Sequence, residues 1–290
     1  MAFPPQKLKG LSGTTGRRLI WTALVLFSVG GAICSFNPPA DNGRPPMKEE
    51  QAMNTQSEEV RAGGEIGTGD GAAPSQIETA TFALGCFWGP DARFGRIKGV
   101  VRTRVGYTGG TTENPTYHGL GDHSEAVEMD YDPSVVSYSD LLDVFWKSHN
   151  PGSRPCSRQY RSAIFYHNEE QKRLALESRK AVEAGTGKVY TEIEPAGRFY
   201  RAEDYHQKYY LRQRPDLLNE LRKTYPRDRD LVDSTAAARV NGYLGGNGSC
   251  ALAHRELKDI LPQTAGGKLP DLLCGPGRYE AEDAGRAGTR

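Results

Sequence analysis

The chain has almost no excess of either charge, with 37 Lys and Arg against 36 Asp and Glu in 290 residues. That balance offers no broadly basic surface, and no nucleic-acid partner is expected. Cysteine is scarce. Cys34, Cys86, Cys156, Cys250 and Cys274 lie far apart, with no CxxC pair and no metal-ligand spacing. This argues against a dense disulfide scaffold and a cysteine-bound metal, and no cofactor is expected. Acid is missing from the start of the chain. Asp41 is the first, whereas Lys7, Lys9, Arg17 and Arg18 precede it. Residues 19–36 then carry no charge at all. Such a run stands between a signal-peptide core and a minimal transmembrane helix. With a basic flank before it, the expectation is a signal-anchor that places the rest beyond the membrane. A cleaved signal peptide of a secreted protein is close behind, and organelle targeting third. Large apolar residues are nearly absent from 37–76, which is rich in Pro, Gly, Glu and Gln and reads as a disordered linker.

What remains is long enough for a sizeable core. The expected order is a main domain at 77–228, a helical and glycine-rich extension at 229–262, and a disordered tail at 263–290. The domain is organised around its first element. Residues 81–84 read as a short buried strand that Gly85 ends. Phe87, Trp88, Ala92 and Phe94 then read as a helix, with Pro90 tolerable only in the first turn. Cys86 falls between strand end and helix N-terminus, a position that favours an anion, and the thiolate is the reactive form. A buried, inert cysteine is the plainer alternative.

Further strands are expected at 100–107, 125–131, 162–167 and 189–194. Helices are expected around Leu141 to Trp146, from Asn168 to about 184, and at 203–211, 216–223, 234–240 and 249–261. Between the last two, 242–248 reads as a glycine-rich loop. Strands interspersed with helices argue for a mixed α/β sandwich. On the strand at 125–131, Val127, Met129 and Tyr131 share one face, and Glu125 falls in phase with them. An inward carboxylate is costly unless paired or protonated, so it is either a solvated strand end or a functional acid.

The words around these residues form an ordered set: GCFWG at Cys86, GYTGGTTENPTY, HSEAVEMDYDP, QYRSAIFYHNEEQ and AEDYHQKYY. Together they resemble the class A peptide methionine sulfoxide reductases, over 79–210. The resemblance implies an α/β fold of the α+β two-layer kind, a mixed sheet with a ferredoxin-like element. It implies thiol-dependent reduction of methionine-S-sulfoxide in peptides and proteins. Cys86 would be the nucleophile, Glu125 the proton donor, and Tyr117 and Tyr160 the tyrosines that bond the sulfoxide oxygen. Phe87 and Trp88 would hold the methyl group. Asp204 and His206 lie in a matching motif, and the histidine reads more simply as structural. Where the family usually has an aspartate five residues before the QY tyrosine, this chain has Pro155, and the segment between Tyr117 and Glu125 is short. A sulfoxide-binding module with weakened catalysis is therefore the alternative on the same fold, and a peroxide-consuming thiol enzyme a more distant one.

A sulfenic acid on Cys86 needs a second thiol, then a thioredoxin-like reductant. Family members commonly keep the second thiol in a glycine-rich tail. Cys250 in GYLGGNGSC is the expected resolving residue, with Cys274 and Cys156 behind it. Asn247-Gly248-Ser249 is also a glycosylation sequon, which would crowd Cys250 if used.

Overall fold

The computed structural model describes residues 76–260 and 268–275. The apolar run at 19–36 and, but for Gln76, the linker at 37–76 lie outside them. Among the described residues no helix is long and apolar enough to cross a membrane.

The sheet has six strands: β1 (Glu78–Leu84), β2 (Val100–Thr108), β3 (Ser124–Tyr131), β4 (Ser162–Tyr166), β5 (Glu192–Pro195) and β6 (Tyr200–Arg201). Their order is β5-β4-β1-β3-β2-β6, and only β4 and β5 pair in parallel. Helix α1 (Trp88–Gly95) joins β1 to β2, with β3 lying between those strands. Helix α2 (Tyr138–Lys147) joins β3 to β4, with β1 between them. Two split βαβ units of this kind make the ferredoxin-like element. The fold is the expected mixed α/β sandwich.

Local chemistry sets the elements. Ser137 caps α2 and exchanges bonds with Asp140, a capping box. Asn168 caps the long helix α3 (Glu169–Thr186) by accepting from the Gln171 amide at 2.8 Å. One sheet face meets the helices. Phe82, Val127, Met129, Tyr131 and Ile164 pack there against Phe94 of α1 and Leu141, Leu142 and Phe145 of α2. The period of two along β3 accounts for this face, and it brings Glu125 round to it as well.

The segment after β6 is more broken than the pattern at 203–211 suggests. A 3₁₀ turn at Asp204–His206 is followed by Lys208 with φ 53°, and only then by α4 (Tyr209–Arg212). The left-handed residue interrupts the helix because its side chain is claimed elsewhere. Lys208 Nζ lies 2.8 Å from Asp91 in α1, and both side chains are sealed from solvent. Nζ also donates to the Thr103 carbonyl and hydroxyl, at 2.6 and 2.9 Å. Asp91 accepts further bonds from the Thr103 hydroxyl and from Asn241.

Four more helices follow: α5 (Pro215–Thr224), α6 (Asp228–Val232), α7 (Thr235–Leu244) and α8 (Cys250–Ile260). The last, α9 (Leu269–Cys274), lies in the stretch expected to be disordered tail. Together α4 to α9 build a second apolar core, with Leu211, Leu217, Leu221, Val240, Leu257 and Leu269 among its residues. The extension is thus packed structure, and its glycines need a different explanation from flexibility. Gly242 belongs to α7, and a Cβ there would stand 2.5 Å from Arg96 and 2.8 Å from the Ala92 carbonyl. Small residues let α7 press directly onto α1. Arg239 of α7 completes the junction by donating to the carbonyls of Gly95 and Val100.

Breaking the Asp91–Lys208 pair from one side leaves a buried charge behind. Lys208→Met is expected to cost about 3–5 kcal/mol, and Asp91→Leu combined with Lys208→Met less than that. Urea unfolding of the single and double variants measures both. A single variant as stable as the parent would show that the pair does not anchor the fold.

Candidate active site

Gly85 turns the chain out of β1 with φ +88°, a conformation costly for any side chain with a Cβ. Phe87 then takes the N-cap position of α1 without any side-chain cap. The open amides of that helix start are spent on the reactive groups. Phe87 N–H donates to Glu125 Oε2 at 3.0 Å, and the Trp88 amide points to the Cys86 sulfur. Cys86 and Glu125 therefore share one helix N-terminus.

Glu125 is 1% exposed, and Gln159 Nε2 donates to its other oxygen at 2.9 Å. Burial lifts its carboxyl above the usual carboxylate range, against the pull of those two donors. Each donor uses one lone pair, so a proton on the acid is free to serve the pocket. The alternative of a solvated strand end is thereby excluded. Cys86 departs from expectation. Burial pushes its thiol up to about 11, the Trp88 amide only partly opposes this, and the Glu125 charge adds to it. The helix start does favour the thiolate, but desolvation outweighs it.

Two tyrosines stand where the motifs place them. Tyr160 follows Gln159 and lies among Glu125, Tyr117 and Cys86, and burial raises its hydroxyl far above the usual tyrosine range. It stays a donor. Tyr117 rides on the loop between β2 and β3, and its amide donates to Glu203 Oε1 at 2.9 Å. Glu203 Oε2 accepts from Tyr107 at 2.7 Å, which ties that loop to the sheet. The short loop is further closed by Asp122. Its carboxylate accepts from the amides and hydroxyls of Thr111 and Thr112, which hold it well below the usual range.

Phe87 is buried and Trp88 half-buried. The Trp88 ring stacks on Tyr209 at 3.8 Å, and its indole N–H donates to His206 Nδ1 at 3.3 Å. His206 packs 4.7 Å from the Tyr117 ring and 5.1 Å from Phe87. Burial lowers it to about 4, so it is neutral at ordinary pH. With Nδ1 accepting, its proton sits on Nε2, which is buried without a partner among the described residues. Asp204, by contrast, is exposed and pairs only loosely with Arg201 at 3.6 Å. Arg161, next to Tyr160, is buried in a clamp with Glu192 and Glu194 and donates to Ser124 beside Glu125 at 2.8 Å. Gln159, Glu203 and Tyr210, whose phenol neighbours Cys86, were not identified from the sequence. Gln159 and Glu203 border motif residues, but no spacing marks them as partners.

Cys250 does not stand as a free thiol. It is bonded to Cys274, with the Cα atoms 5.7 Å apart, while Cys86 and an exposed Cys156 are free. Nor is its approach a loose tail, since Ser249 caps α8 and the preceding helix is fixed against α1. The sequon is engaged too. Asn247 Nδ2 donates to the carbonyls of Gly242 and Gly245 at 3.1 and 3.2 Å. A glycan on that nitrogen would have to break the turn.

Residues 78–236 match the family model described as peptide methionine sulfoxide reductase. The chain belongs to that family. The peptide methionine sulfoxide reductase of Drosophila melanogaster is 47% identical over 177 residues, 59% of this chain and 69% of its own. The enzyme MsrA of Methanothermobacter thermautotrophicus is 52% identical over 147 residues, covering 47% and 87% respectively. Peptide methionine sulfoxide reductase A5 of Arabidopsis thaliana is 45% identical over 174 residues, covering 58% and 68%. This reductase-family domain is an oxidoreductase.

The raised carboxyl of Glu125 has a stability consequence with a definite sign. A folded-state value above the unfolded one favours the fold at low pH, and that advantage is lost as pH rises through the folded value. Glu125→Gln removes the penalty. It is expected to raise the melting temperature at neutral pH, with Gln159 turning its carbonyl to the new amide, and to slow the chemical step by about a hundredfold or more. Calorimetry with single-turnover kinetics reads both. A variant that is no more stable and fully active would remove Glu125 from the acid role.

Proposed function

We propose that this protein reduces methionine-S-sulfoxide in peptides and proteins to methionine. The observation that carries the proposal is the shared helix start, which sets the Cys86 sulfur and a protonation-prone Glu125 in one pocket. The Cys86 sulfur attacks the sulfoxide sulfur while the oxygen takes the Glu125 proton. Tyr117 and Tyr160 donate to that oxygen, and Glu125 recovers its proton from the Cys86 thiol. The hydroxyl then passes from the methionine sulfur to the Cys86 sulfur as the S–S bond between them breaks, leaving methionine and a Cys86 sulfenic acid. Phe87 and Trp88 enclose the methyl group and keep water from the sulfur.

Regeneration uses the C-terminal pair. The reduced Cys250 thiolate attacks the sulfenic sulfur, water leaves, and a Cys86–Cys250 disulfide forms. Cys274 then attacks Cys250, which frees Cys86 and gives the Cys250–Cys274 bond. The thiol state seen here, Cys86 free and Cys250 bonded to Cys274, is the end point of that sequence. Position supports it. Tyr210 neighbours Cys86, and its ring lies 3.3 Å from where a Cβ of Gly245 would stand, in the loop that leads to Cys250. Gly246 and Gly248, with φ +79° and +151°, give that loop its turns. A thioredoxin-like dithiol opens the final disulfide. The uncharged run at 19–36, with its basic flank, supports a membrane-tethered or secreted site of action.

With the full-length chain and a methionine-S-sulfoxide peptide, Cys86→Ser is expected to lower turnover at least about a thousandfold while the fold persists. Cys274→Ser is expected to release one methionine per enzyme and to accumulate a Cys86–Cys250 disulfide, found by non-reducing peptide mapping. Binding without methionine release by the parent would leave only a sulfoxide-binding module. A Cys86–Cys156 bond in its place would move the relay off the tail.

A further inference from the structure

The charged side chains around the Tyr160 side of the pocket are unevenly partnered. Arg154 and Arg158 lie on the loop that ends in Gln159 and Tyr160, and both are exposed. Arg158 spends its guanidinium on two carbonyls, those of Asp122 at 2.7 Å and Gly109 at 2.8 Å. Arg154 reaches Tyr190, its Nε 3.2 Å from the hydroxyl and its Cζ 5.2 Å from the ring centre. Lys188 Nζ approaches the same ring at 5.0 Å. Tyr190 belongs to this loop structurally, since its amide donates to the Pro151 carbonyl at 2.8 Å. On the other side, exposed Arg198 stacks on Tyr200 at 4.7 Å, and Tyr200 meets His123 at the base of the Tyr117 loop.

Among the described residues none of these four cations has a carboxylate within ion-pair distance. Elsewhere on the surface Arg173, Arg214 and Arg227 all close on acids. The acids near the four cations each have other partners, and of them Glu194 also feels the Arg158 charge. Asp122 is saturated by Thr111 and Thr112, Glu192 and Glu194 by Arg161, and Glu203 by Tyr107 and Tyr117. Of the two acids of the Tyr117 loop, Asp122 keeps its charge among neutral Thr donors and Glu113 is exposed, against four cations. Two cations gathered on one phenol repel each other, and they pull the Tyr190 hydroxyl below its usual range. An anion brought to that place would relieve the crowding.

We infer that this rim selects methionine sulfoxide lying in an acidic stretch of its peptide or protein. The inference rests on the sulfoxide-reductase reading and names the substrate class for that site. The sulfoxide side chain would enter between Tyr117 and Tyr160, and carboxylates a few residues to either side would meet Arg154 with Lys188, or Arg198. The four groups are exposed, so each contact is modest and sensitive to salt. They act on capture of the peptide rather than on the sulfur chemistry.

The test uses the full-length enzyme and three probes: N-acetyl-methionine-S-sulfoxide, a peptide with the sulfoxide flanked by glutamates, and its counterpart flanked by lysines. At low ionic strength kcat/KM for the acidic peptide is expected to exceed that for the basic one by about three- to tenfold, as a few exposed charge contacts provide. The difference should lie in KM and shrink with added salt. Arg154→Glu combined with Lys188→Glu should cancel or invert the ratio. A merely structural loss would lower both peptides alike and leave the ratio in place. No turnover of any probe would overturn the reductase reading itself. Turnover of both peptides at an equal ratio, unmoved by salt or charge reversal, would overturn the acidic-substrate inference and leave the reductase reading standing. An equal ratio together with salt-sensitive binding to phosphatidylserine vesicles would reassign the cations to a membrane surface.

Discussion

The buried pair of Asp91 and Lys208 is the interaction on which the rest of the site depends. Asp91 lies in the first turn of α1, close after Cys86 in the chain, and it is bonded at once to β2, to the segment after His206, and to α7. Removing water from two charges is expensive, and Coulomb attraction alone seldom repays it. Here the remaining donors and acceptors are also met: Nζ has three oxygens, and both carboxylate oxygens have partners. The left-handed backbone at Lys208 is a further small cost that the same contacts offset. What this secures is position. Gln207, just before Lys208, bonds both backbone groups of Val105. His206, just before that, is set against Trp88.

The parts of this arrangement visible in the sequence are those governed by short-range backbone preference and periodicity. Gly85 ending a strand and Pro90 in a first helical turn follow from what those two backbones allow, and Glu125 in phase with Val127 and Met129 from the period of two. The structure keeps each of them, and with them the ferredoxin-like element that the motif resemblance, not periodicity, implies. The residues that complete the site depend on contacts across long stretches of chain. Gln159 meets Glu125 across 34 positions and Glu203 meets Tyr117 across 86. No local pattern reports such a meeting. The glycines of the extension misled for a physical reason. A missing Cβ serves a tight helix crossing as well as a flexible loop, and Gly242 serves the first. Lys208 misled in the same way, since an ion pair across 117 positions overrides the helical preference of its neighbours.

The high thiol value of Cys86 follows from the same burial, and it has a use. At about 11, roughly one site in ten thousand holds a thiolate at neutral pH when the pocket is empty. The thiolate is the form that peroxide oxidises, so an empty site resists wasteful oxidation. This weighs against a general peroxide-consuming enzyme, which needs a standing thiolate. It does not weigh against attack on a bound sulfoxide. In the proposed reaction the thiol proton would have a destination, because Glu125 would give its own to the departing oxygen and be left as the base beside the sulfur. A sulfur that ionises reluctantly is also the better nucleophile once ionised. Burial raises both groups, and the Glu125 charge adds to the cost of ionising Cys86, so both favour their protonated forms in the empty pocket. Desolvation, which a reading of the helix start alone leaves out, would thus couple proton transfer to sulfur attack in the proposed reaction, with the substrate itself as the trigger.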